Sequence, residues 1–488
     1  MRLESILKDI EILENHADLA MEISGISYDS RNTQPGDLFV AIRGFDTDGH
    51  KYIDSAVKKG AVAVLCEEKP TVDIPYILLD DCRHGLAFAG RNFYGDPASE
   101  MSMIAVTGTN GKTTTTYLLK HLIETAVKEK VGLVGTNGNL IGDEFFPSER
   151  TTPESLELQK LFRQMADAGC KYVVMEVSSH SLALSRVDGI LFDTAIFTNL
   201  TQDHLDFHKT MEGYAKTKAK LFSMCKVGCI NMDDEWSEFM LKNAKCEVMT
   251  FSAEKTDADL TANDLRFAAD GVRFCALYQG DLQRTDLKIP GKFSVYNALG
   301  VIAAGLSIGI SLEDCCRSMS DASGVKGRME VVPTDGDYTI LIDYAHTPDA
   351  LENVLKALRE VSKGRIVALF GCGGDRDRTK RPIMGRIAAE NADFCVITSD
   401  NPRTEDPASI IEDILEGIQG DKLKYAPREV IEDRPTAIRW AIDNHKPGDV
   451  IVLCGKGHET YQIIGHEKHH LDEREVIAEH LAERGKEV

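Results

Sequence analysis

Residues 104–114 combine a glycine-rich turn with a lysine that two threonines follow directly, a set of residue types that binds phosphate. The segment reads Ile-Ala-Val-Thr-Gly-Thr-Asn-Gly-Lys-Thr-Thr, so an apolar strand leads through the turn into a helix. Backbone N–H groups of the turn and the positive end of the helix attract anionic oxygens; Lys112 can reach outer phosphates and Thr113 can ligate Mg²⁺. The standard loop has glycine where this chain has Val106. We therefore predict a shortened variant of the phosphate loop.

A carboxylate and a histidine-rich segment follow two further apolar runs. Glu176 ends a run that begins at residue 171, and the segment 198–208 holds two histidines and two aspartates. Carboxylate oxygens suit a Mg²⁺ ion that bridges nucleotide phosphates, which favours Glu176 as a metal ligand and a magnesium or phosphate role for His204. The sequence leaves three alternatives open: a surface ion pair for Glu176, helix capping by the polar segment, and a zinc site at His204 and His208.

Three lysines lie close together in the helical stretch 214–222, at positions 216, 218 and 220. A charge run of this kind is usually a solvated helix face. One of the lysines could instead point towards the γ-phosphate of a nucleotide, and composition alone does not choose among them.

Two loops in the last third of the chain mix arginine with acids. They are residues 375–381 and 400–405, and each follows an apolar run. Arginine binds a carboxylate bidentately while an acid pairs with an ammonium group, so such loops suit an amphoteric ligand. Structural ion pairs between the two loops are the alternative. Ligands bind at the carboxyl ends of strands in open α/β sheets, so we expect these loops and the glycine-rich segment 455–458 to converge.

The strands that must position these residues fall into three groups. Apolar runs at 38–42, 61–65 and 76–79 indicate a small α/β unit, and those at 171–177, 194–198 and 228–232 are of the kind buried in a parallel sheet. The runs at 364–370, 392–398 and 449–454 repeat the pattern. We predict an α/β protein with a small N-terminal domain (1–98), a central doubly wound sheet of the P-loop type (99–328) and a Rossmann-like C-terminal sheet (329–488).

Composition limits the partners of the chain. The 488 residues include 56 Lys and Arg against 78 Asp and Glu, a net charge of −22, which argues against general affinity for nucleic acid or anionic membranes. No apolar run approaches the length of a membrane span, and the first residues lack a signal-peptide core. The twelve cysteines form no C-x-x-C pair. We expect a cytoplasmic monomer with reduced thiols.

Eight motifs, in this order, make the chain resemble the Mur ligase family of bacterial cell-wall synthesis over essentially its whole length. They are residues 107–114, 176–180, 199–208, 296–299, 327–330, 343–348, 400–403 and 455–459. The resemblance implies that ATP phosphorylates a terminal carboxylate of the substrate, and that an amine then displaces the phosphate to form an amide. Catalysis of that kind is mainly positioning and charge neutralisation.

The resemblance also implies which residues bind the nucleotide and its metal. Thr113 and Glu176 would hold one Mg²⁺ and His204 would help to hold a second, while Lys218 would be carbamylated and so become an acidic oxygen ligand. Lys112, Glu176, His204 and Lys218 are the implied catalytic residues. The implied ATP-binding residues are Gly108, Thr109, Asn110, Gly111, Lys112, Thr113, Thr114, Asn297, Arg328 and Asp343.

Two further substrates follow from the resemblance. The first is UDP-N-acetylmuramoyl-L-alanyl-D-glutamate, with implied contacts at Ser30, Thr151, Thr152, Ser178, Arg186 and the segment 45–47. Leu184 stands where close relatives carry glutamine, so one hydrogen bond to this substrate is expected to be missing.

The second substrate is meso-diaminopimelate. Relatives that add it share Asp-Asn-Pro-Arg at positions 400–403, whereas relatives that add lysine replace the arginine, which is Arg403 here. The implied contacts are Arg376, Asp400, Asn401, Pro402, Arg403, Gly455 and Glu459.

Other functions stay open on the sequence alone. Within the ligases, the alternatives are addition of L-lysine and a folylpolyglutamate synthetase-like activity. From other classes, the alternatives are a nucleotide-dependent regulatory switch and a non-catalytic binding module. Two features argue against the switch and the binding module: the loops 375–381 and 400–405, which suit an amphoteric ligand, and the absence of the Asn-Lys-x-Asp motif that reads a nucleotide base.

Overall fold

The computed structural model describes residues 1–44, 47–148, 150–268, 271–322, 324–418 and 425–487. The chain forms two compact units, the first made of residues 1–260 and 300–311 and the second of residues 261–299 and 312–488. Within the described residues, no helix has both the length and the apolar character that crossing a membrane requires.

The first unit contains a five-stranded sheet near the N-terminus and a larger, central sheet. Its helices are α1 (Leu3–Ile6), α2 (Ile53–Lys58), α3 (Cys82–Phe93), α4 (Lys112–Leu122), α5 (Ser155–Asp167), α6 (Ser179–Ala183), α7 (Leu205–His208), α8 (Met211–Ala219) and α9 (Ser237–Asn243). Its strands are β1 (Glu14–Asn15), β2 (Gly25–Ser27), β3 (Asp37–Val40), β4 (Ala63–Cys66), β5 (Tyr76–Leu78), β6 (Ser102–Thr107), β7 (Val131–Gly135), β8 (Gly138–Ile141), β9 (Glu144–Phe146), β10 (Tyr172–Glu176), β11 (Phe192–Phe197), β12 (Cys225–Asn231) and β13 (Glu247–Ser252).

The strand order of the central sheet brings three functional loops to one edge. The order is β13-β12-β11-β6-β10-β7-β8-β9, and the strands from β13 to β7 run parallel. Strand β6, which leads into the phosphate loop, therefore lies between β10, which ends at Glu176, and β11, which leads into the histidine segment. All three strands are buried and almost wholly apolar, as strands covered by helices on both faces must be.

The N-terminal sheet has the order β1-β5-β4-β3-β2, with β1 antiparallel to β5 and the other strands parallel. Apolar side chains fill the space on both faces of this sheet, with one cluster around Leu38 and Leu65 and a second around Phe39 and Val64. This arrangement follows from the alternation of neighbouring side chains along a strand.

The second unit begins with three consecutive strands and continues with a six-stranded sheet. Its helices are α10 (Lys292–Ser307), whose residues from 300 onward belong to the first unit, α11 (Leu312–Asp321), α12 (Pro348–Val361), α13 (Lys380–Asn391), α14 (Pro407–Glu416), α15 (Arg434–Asp443) and α16 (Glu473–Glu487). Its strands are β14 (Leu260–Ala268), β15 (Gly271–Tyr278), β16 (Asp281–Leu287), β17 (Glu330–Val332), β18 (Tyr338–Asp343), β19 (Ile366–Phe370), β20 (Phe394–Ile397), β21 (Arg428–Val430), β22 (Asp449–Cys454), β23 (Tyr461–Ile464) and β24 (Glu467–His470).

The six-stranded sheet has the order β17-β18-β22-β19-β20-β21, and only β17 is antiparallel. The carboxyl ends of β18, β22, β19 and β20 therefore share one edge, from which the predicted ligand loops emerge. The predicted α/β fold class, with a small N-terminal sheet, a central phosphate-loop sheet and a Rossmann-like C-terminal sheet, is confirmed. The two domain boundaries, after residues 98 and 328, stay predictions.

Candidate active site

The phosphate loop connects β6 to α4, and its backbone explains why the glycine of the standard motif is absent. Val106 lies inside β6 and is fully buried, so the loop begins only at Gly108. Gly108 has a φ of 151°, and a Cβ atom at this position would collide with the hydroxyl group of Thr198. The loop is thus shortened on its strand side, where an apolar residue serves the sheet better than glycine.

The segment after β11 holds the phosphate loop in place. Asn199 accepts two hydrogen bonds, from Thr109 N to its main-chain oxygen and from Asn110 N to its Oδ1, both at 2.9 Å. Thr198 Oγ1 donates to Asn110 O at 2.7 Å. The supporting role of Thr198 and Asn199 was not predicted, because nothing in a short polar segment indicates which distant loop it contacts.

Two lysines donate to the same carbonyl oxygen of the phosphate loop. Lys112 Nζ lies 3.0 Å from Gly108 O and 2.9 Å from Thr109 O, and Lys218 Nζ lies 2.8 Å from Gly108 O. The geometry therefore chooses among the three lysines of the predicted run: Lys216 and Lys220 are exposed, whereas only 1% of Lys218 is exposed.

Helix α8 positions Lys218. Thr210 caps the helix by accepting a hydrogen bond from Gly213 N at 3.0 Å, and the buried side of the helix carries Tyr214 four residues before Lys218. Burial, and secondarily the positive charge of Lys112, holds the pKa of Lys218 well below its ordinary value, while Asp203 acts in the opposite direction. The amine is thereby biased towards its neutral, nucleophilic form.

Glu176 is completely buried at the carboxyl end of β10. Its Oε1 accepts a hydrogen bond from Thr136 N at 2.9 Å and its Oε2 accepts one from Thr136 Oγ1 at 3.0 Å. The alternative of a surface ion pair is therefore wrong. Both donors belong to a neutral residue, and a buried carboxylate held only by neutral groups attracts a cation. Glu176 therefore fits a ligand of Mg²⁺, and the hydroxyl group of Thr113, which is largely buried at the start of α4, is of the right donor type.

The histidines lie together, but they do not form a closed metal site. The ring of His204 is 4.9 Å from that of His180, and His208 Nε2 lies 2.8 Å from Ser179 Oγ. His204 has a φ of 51°, in the left-handed region that residues other than glycine seldom adopt. Among the described residues, no three His, Cys, Asp or Glu side chains are arranged to hold a metal ion, so the zinc alternative has no support in the geometry.

A cavity of about 520 Å³ in the first unit contains several of the predicted contacts to the sugar nucleotide. Ser30, Thr47, Leu184 and Arg186 line it, together with Arg83, Arg150 and Glu154. Leu184 adds an apolar surface where a glutamine would add an amide. Phe45 and Asp46, which complete the predicted segment 45–47, lie outside the described residues.

Arg186 is held in this cavity by Glu154, which accepts from Arg186 Nε at 3.2 Å, and by Thr152 O, which accepts from Arg186 Nη1 at the same distance. Burial lowers the pKa of Arg186, and the carboxylate of Glu154 offsets part of this shift. The guanidinium group is thus fixed at the wall of the cavity rather than free in solvent.

Thr151, Thr152 and Ser178 connect the cavity wall to Glu176. Thr151 Oγ1 lies 2.9 Å from the hydroxyl of Thr136, the residue that holds Glu176. Thr152 Oγ1 donates to Glu176 O at 2.8 Å and accepts from Ser178 N at 3.2 Å. The Thr152 hydroxyl therefore already has internal partners, which makes this residue a support for its neighbours.

Three residues predicted to contact the nucleotide lie in the second unit. Asn297 is buried in α10, and the guanidinium carbon of Arg328 lies 4.9 Å from the centre of the Tyr344 ring. Asp343 ends β18 and accepts hydrogen bonds from Met329 N and Ala345 N, both at 2.8 Å. Burial raises the pKa of Asp343, and the charge of Arg328 partly counters the shift.

The loops after β20 and β22 meet through side chains, as the sequence predicted for this sheet edge. Asn401 Nδ2 donates to Glu459 Oε2 at 2.9 Å. Lys456, which is completely buried, donates to Asn401 Oδ1 at 3.1 Å and to Glu459 Oε2 at 3.0 Å. A Cβ atom on Gly455, which has a φ of 114°, would lie 2.6 Å from Asp400 Oδ2. Asp400, Asn401, Gly455 and Glu459 are thus neighbours.

The two arginines predicted to bind carboxylate donate to main-chain oxygens. Arg403 Nη1 lies 2.8 Å from Gly374 O, and Arg376 Nη1 lies 3.0 Å from Asp375 O. Arg403 has a φ of 52°, again in the left-handed region. Within the described residues neither arginine forms an ion pair, which leaves both guanidinium charges available to an anion.

The structural ion pairs that sequence reasoning considered involve other residues of the same loops. Arg381, at the start of α13, is completely buried and pairs with Glu405 at 2.7 Å and Asp413 at 2.8 Å. Arg378 pairs with Asp413 at 3.0 Å. Pro402 takes part through its main chain, since its carbonyl oxygen packs against Gly374. The alternative of structural ion pairs is therefore confirmed for Arg381 and Glu405, and the binding of an amphoteric ligand stays a prediction.

Comparisons with known proteins agree with this geometry along the chain. Family models match three segments: the Mur ligase family catalytic domain at residues 22–93, the Mur ligase middle domain at 106–305, and the Mur ligase glutamate ligase domain at 327–457. Together with the phosphate loop, these matches define the class of protein, a ligase that binds a nucleotide.

The chain belongs to the Mur ligase family. It is 50% identical over 491 residues to the UDP-N-acetylmuramoyl-L-alanyl-D-glutamate--2,6-diaminopimelate ligase of Caldanaerobacter subterraneus, a match that covers all of both chains. It is 48% identical to the ligase of the same name, number 1, of Clostridium acetobutylicum, over 99% of this chain and 100% of the relative.

Solved structures extend the comparison to the fold. A structure of a UDP-N-acetylmuramoyl-L-alanyl-D-glutamate--2,6-diaminopimelate ligase aligns with a TM-score of 0.76 at 33% identity, over 99% of each chain. A folylpolyglutamate synthase of Mycobacterium tuberculosis aligns with a TM-score of 0.60 at 18% identity, over 76% of this chain and 92% of that one. The similarity to the folylpolyglutamate synthase shows a shared fold and nothing further.

Proposed function

We propose that this protein is an ATP-dependent amide ligase that adds meso-diaminopimelate to UDP-N-acetylmuramoyl-L-alanyl-D-glutamate in peptidoglycan synthesis. Relatives that are about half identical over the full length carry that activity in their names. The observation that carries the proposal is the meeting of the loops after β20 and β22. They bring Asp400 and Glu459 to the sheet edge that also carries Arg376 and Arg403, two arginines with no acidic partner among the described residues. Acids and arginines together match a ligand with both ammonium and carboxylate groups.

The reaction would take place in two steps. In the first, a carboxylate oxygen of the D-glutamyl residue attacks the γ-phosphorus of ATP, the bond from that phosphorus to the bridging oxygen breaks, and ADP leaves. In the second, the amine of diaminopimelate attacks the acyl carbon, loses a proton and expels phosphate. Lys112 would neutralise charge on the transferring phosphoryl group, exchanging its bonds to Gly108 O and Thr109 O for phosphate oxygens.

Bound Mg²⁺ would neutralise the phosphate oxygens and hold them for in-line attack. Thr113 and Glu176 would hold one ion, and His204 would help with a second. Within this arrangement Thr136 would keep both oxygens of Glu176 oriented, since it donates to each of them.

Lys218 would act as a carbamate. A neutral amine adds to CO₂ and releases one proton, and the product carries a negative charge in place of a positive one. The depressed pKa of Lys218 and the adjacent charge of Lys112 both favour that change. Intact mass measured under CO₂ should be higher by one CO₂ than the mass after acid treatment, and the difference should vanish in Lys218→Ala.

Arg403 would select diaminopimelate over lysine, because only diaminopimelate has a second carboxylate for a guanidinium group to bind. Arg376 would assist on the same carboxylate, while Glu459 and Asp400 would meet the ammonium group. Ser30 and Arg186, which line the cavity of the first unit, would contact the sugar nucleotide, and so would Thr151 and Ser178.

The direct experiment is phosphate release by the purified protein with ATP and UDP-muramyl dipeptide, supplied separately with diaminopimelate, lysine or ornithine. We expect release with diaminopimelate only, and no release when the dipeptide is left out. Substrate labelled with ¹⁸O in the glutamyl carboxylate should transfer one labelled oxygen to the released phosphate. Phosphate without label would contradict the acyl phosphate.

The alternatives predict other outcomes in the same assay. A lysine-adding ligase would release phosphate with lysine, and a folylpolyglutamate synthetase-like enzyme would need a folate and glutamate. A regulatory switch would hydrolyse nucleotide without forming an amide. We further propose that the protein acts as a monomer in the cytoplasm, where ATP is available.

A further inference from the structure

We propose that Lys456 is a positioning residue that, together with Asn401, orients Glu459 towards the ammonium group of the incoming amino acid. This inference rests on the proposed function and adds to it a residue that the motif comparison does not assign to any ligand. Lys456 follows Gly455 at the end of β22, and its side chain points inward and is completely buried.

Three neighbours surround the Lys456 ammonium group. Its Nζ lies 3.0 Å from Glu459 Oε2, 3.1 Å from Asn401 Oδ1 and 3.9 Å from Asp400 Oδ1. All three belong to the predicted diaminopimelate site. Two of them lie on the loop after β20 and one on the loop after β22, so a single side chain joins both loops.

These contacts leave one carboxylate oxygen of Glu459 open. Oε2 accepts hydrogen bonds from both Lys456 and Asn401, whereas Oε1 has no partner among the described residues. The side chain of Asn401 is also fixed, because its oxygen accepts hydrogen bonds from both Lys456 and Ile463 N, the latter at 2.9 Å. Glu459 therefore presents Oε1 in one orientation, ready to accept from an ammonium group.

The charges of the cluster lead to the same conclusion. Lys456 contributes one positive charge, and Asp400 and Glu459 contribute two negative charges, so the cluster is one charge short of neutral. The side chains of all three are largely or completely buried. An ammonium group is the ligand that completes the balance.

A second buried ion pair holds the main chain just before Lys456. Arg434 donates to Cys454 O at 2.8 Å and pairs with Glu473 at 2.7 Å, and none of these groups is exposed to solvent. The main chain on which Lys456 stands is therefore fixed, and a change of its side chain acts mainly on Asn401 and Glu459.

The test compares Lys456→Met with Lys456→Arg in the full-length protein. For Lys456→Met we expect the KM for diaminopimelate to rise by about 30-fold or more, as when one partner of a buried hydrogen-bonded charge pair is removed. The KM for ATP and that for UDP-muramyl dipeptide should stay within about threefold. Lys456→Arg, which keeps the charge, should recover part of the loss.

The matched control is Arg365→Met, at the opposite ends of the same strands. Arg365 pairs with the buried Asp449 at 2.6 Å, so this variant should lose stability and keep its KM for diaminopimelate. Equal KM values for diaminopimelate in Lys456→Met and wild type would overturn the inference. So would a parallel rise in all three KM values, which marks a merely structural role.

Two possible failures, of the variant to fold and of the wild type to react, have separate interpretations. If Lys456→Met does not fold, Lys456→Gln, which keeps an N–H donor and removes the charge, takes its place in the same comparison. If the wild-type protein does not turn over diaminopimelate, the proposed function itself fails, and that result is distinct from a null effect in the variants.

Discussion

The phosphate loop of the first unit and the amphoteric loops of the second are built from different kinds of contact. In the phosphate loop, side chains bond to main chain: Lys112 and Lys218 both donate to Gly108 O. In the loops after β20 and β22, side chains bond to one another, as Lys456 does to Asn401 and Glu459. The first kind of site depends on a glycine turn at a helix N-terminus, and the second on charges that compensate each other away from water.

The difference has a consequence for how each site tolerates change. A main-chain site keeps its shape when a side chain is truncated, and loses only the charge that the side chain supplied. A network of buried side chains loses both the charge and the positions of its neighbours. Substitutions in the two regions should therefore affect different kinetic parameters.

Lys112→Met should have the largest effect. We expect kcat to fall on the order of 10³- to 10⁵-fold, since a cation on the transferring phosphoryl group is lost while the loop keeps its fold. Steady-state phosphate release with all substrates saturating measures the change, and Lys216→Met, at an exposed lysine, is the control. A fall of less than about tenfold would contradict the role of Lys112.

Arg403→Ala should come next. The loss of kcat/KM for diaminopimelate should correspond to about 2 to 5 kcal/mol, because a guanidinium group facing a carboxylate is removed. The KM for ATP should not change. Arg359→Ala, at a half-exposed arginine that pairs with Asp393, should leave both parameters unchanged. An unaltered rate with diaminopimelate would remove Arg403 from the site.

Thr136→Val should have a smaller effect, of about 1 to 3 kcal/mol in the free energy of unfolding, because the buried carboxylate of Glu176 loses one of its donors. Urea denaturation measures it, and Thr136→Ser, which keeps the hydroxyl group, is the matched control. We also expect the magnesium dependence of activity to shift in Thr136→Val. Equal stability of the two variants would show that the hydroxyl does not hold Glu176.

His458 should give the smallest effect at neutral pH, because its contribution to stability appears as a pH dependence. Burial, with the charges of Arg328, Arg474 and Lys326, lowers the pKa of His458 to about 4. Between the ordinary pKa of histidine and that value the unfolded chain binds more protons than the native one, so stability falls as the pH falls through this window. Unfolding measured from pH 7 to pH 4 should show a shallower decline in His458→Gln than in wild type. Identical slopes would contradict this origin.

The sequence predicts most of the helices, strands and loops that carry the site residues. The strands on either side of the phosphate loop, the helix that carries Lys218 and the convergence of the loops at the C-terminal sheet edge all follow from apolar runs and from the strand-end rule. The choice of Lys218 from three lysines needs the structure or the family, because only its position on the buried side of α8 distinguishes it.

The sequence does not predict which distant groups hold the site residues. Thr136 is 40 residues from Glu176, and Lys456 is 55 residues from Asn401. No local pattern connects such pairs, since only the pairing of the strands brings them together. The left-handed backbone of Arg403 also has no sequence signal, because arginine seldom adopts it.

The most direct test of the central claim is a competition for the amide bond. Purified protein receives ATP, UDP-muramyl dipeptide and equal concentrations of meso-diaminopimelate and L-lysine, and the mass of the product is measured. We predict the diaminopimelate tripeptide almost exclusively in wild type, and loss of this preference in Arg403→Ala. A wild-type product that contains mainly lysine would contradict the account.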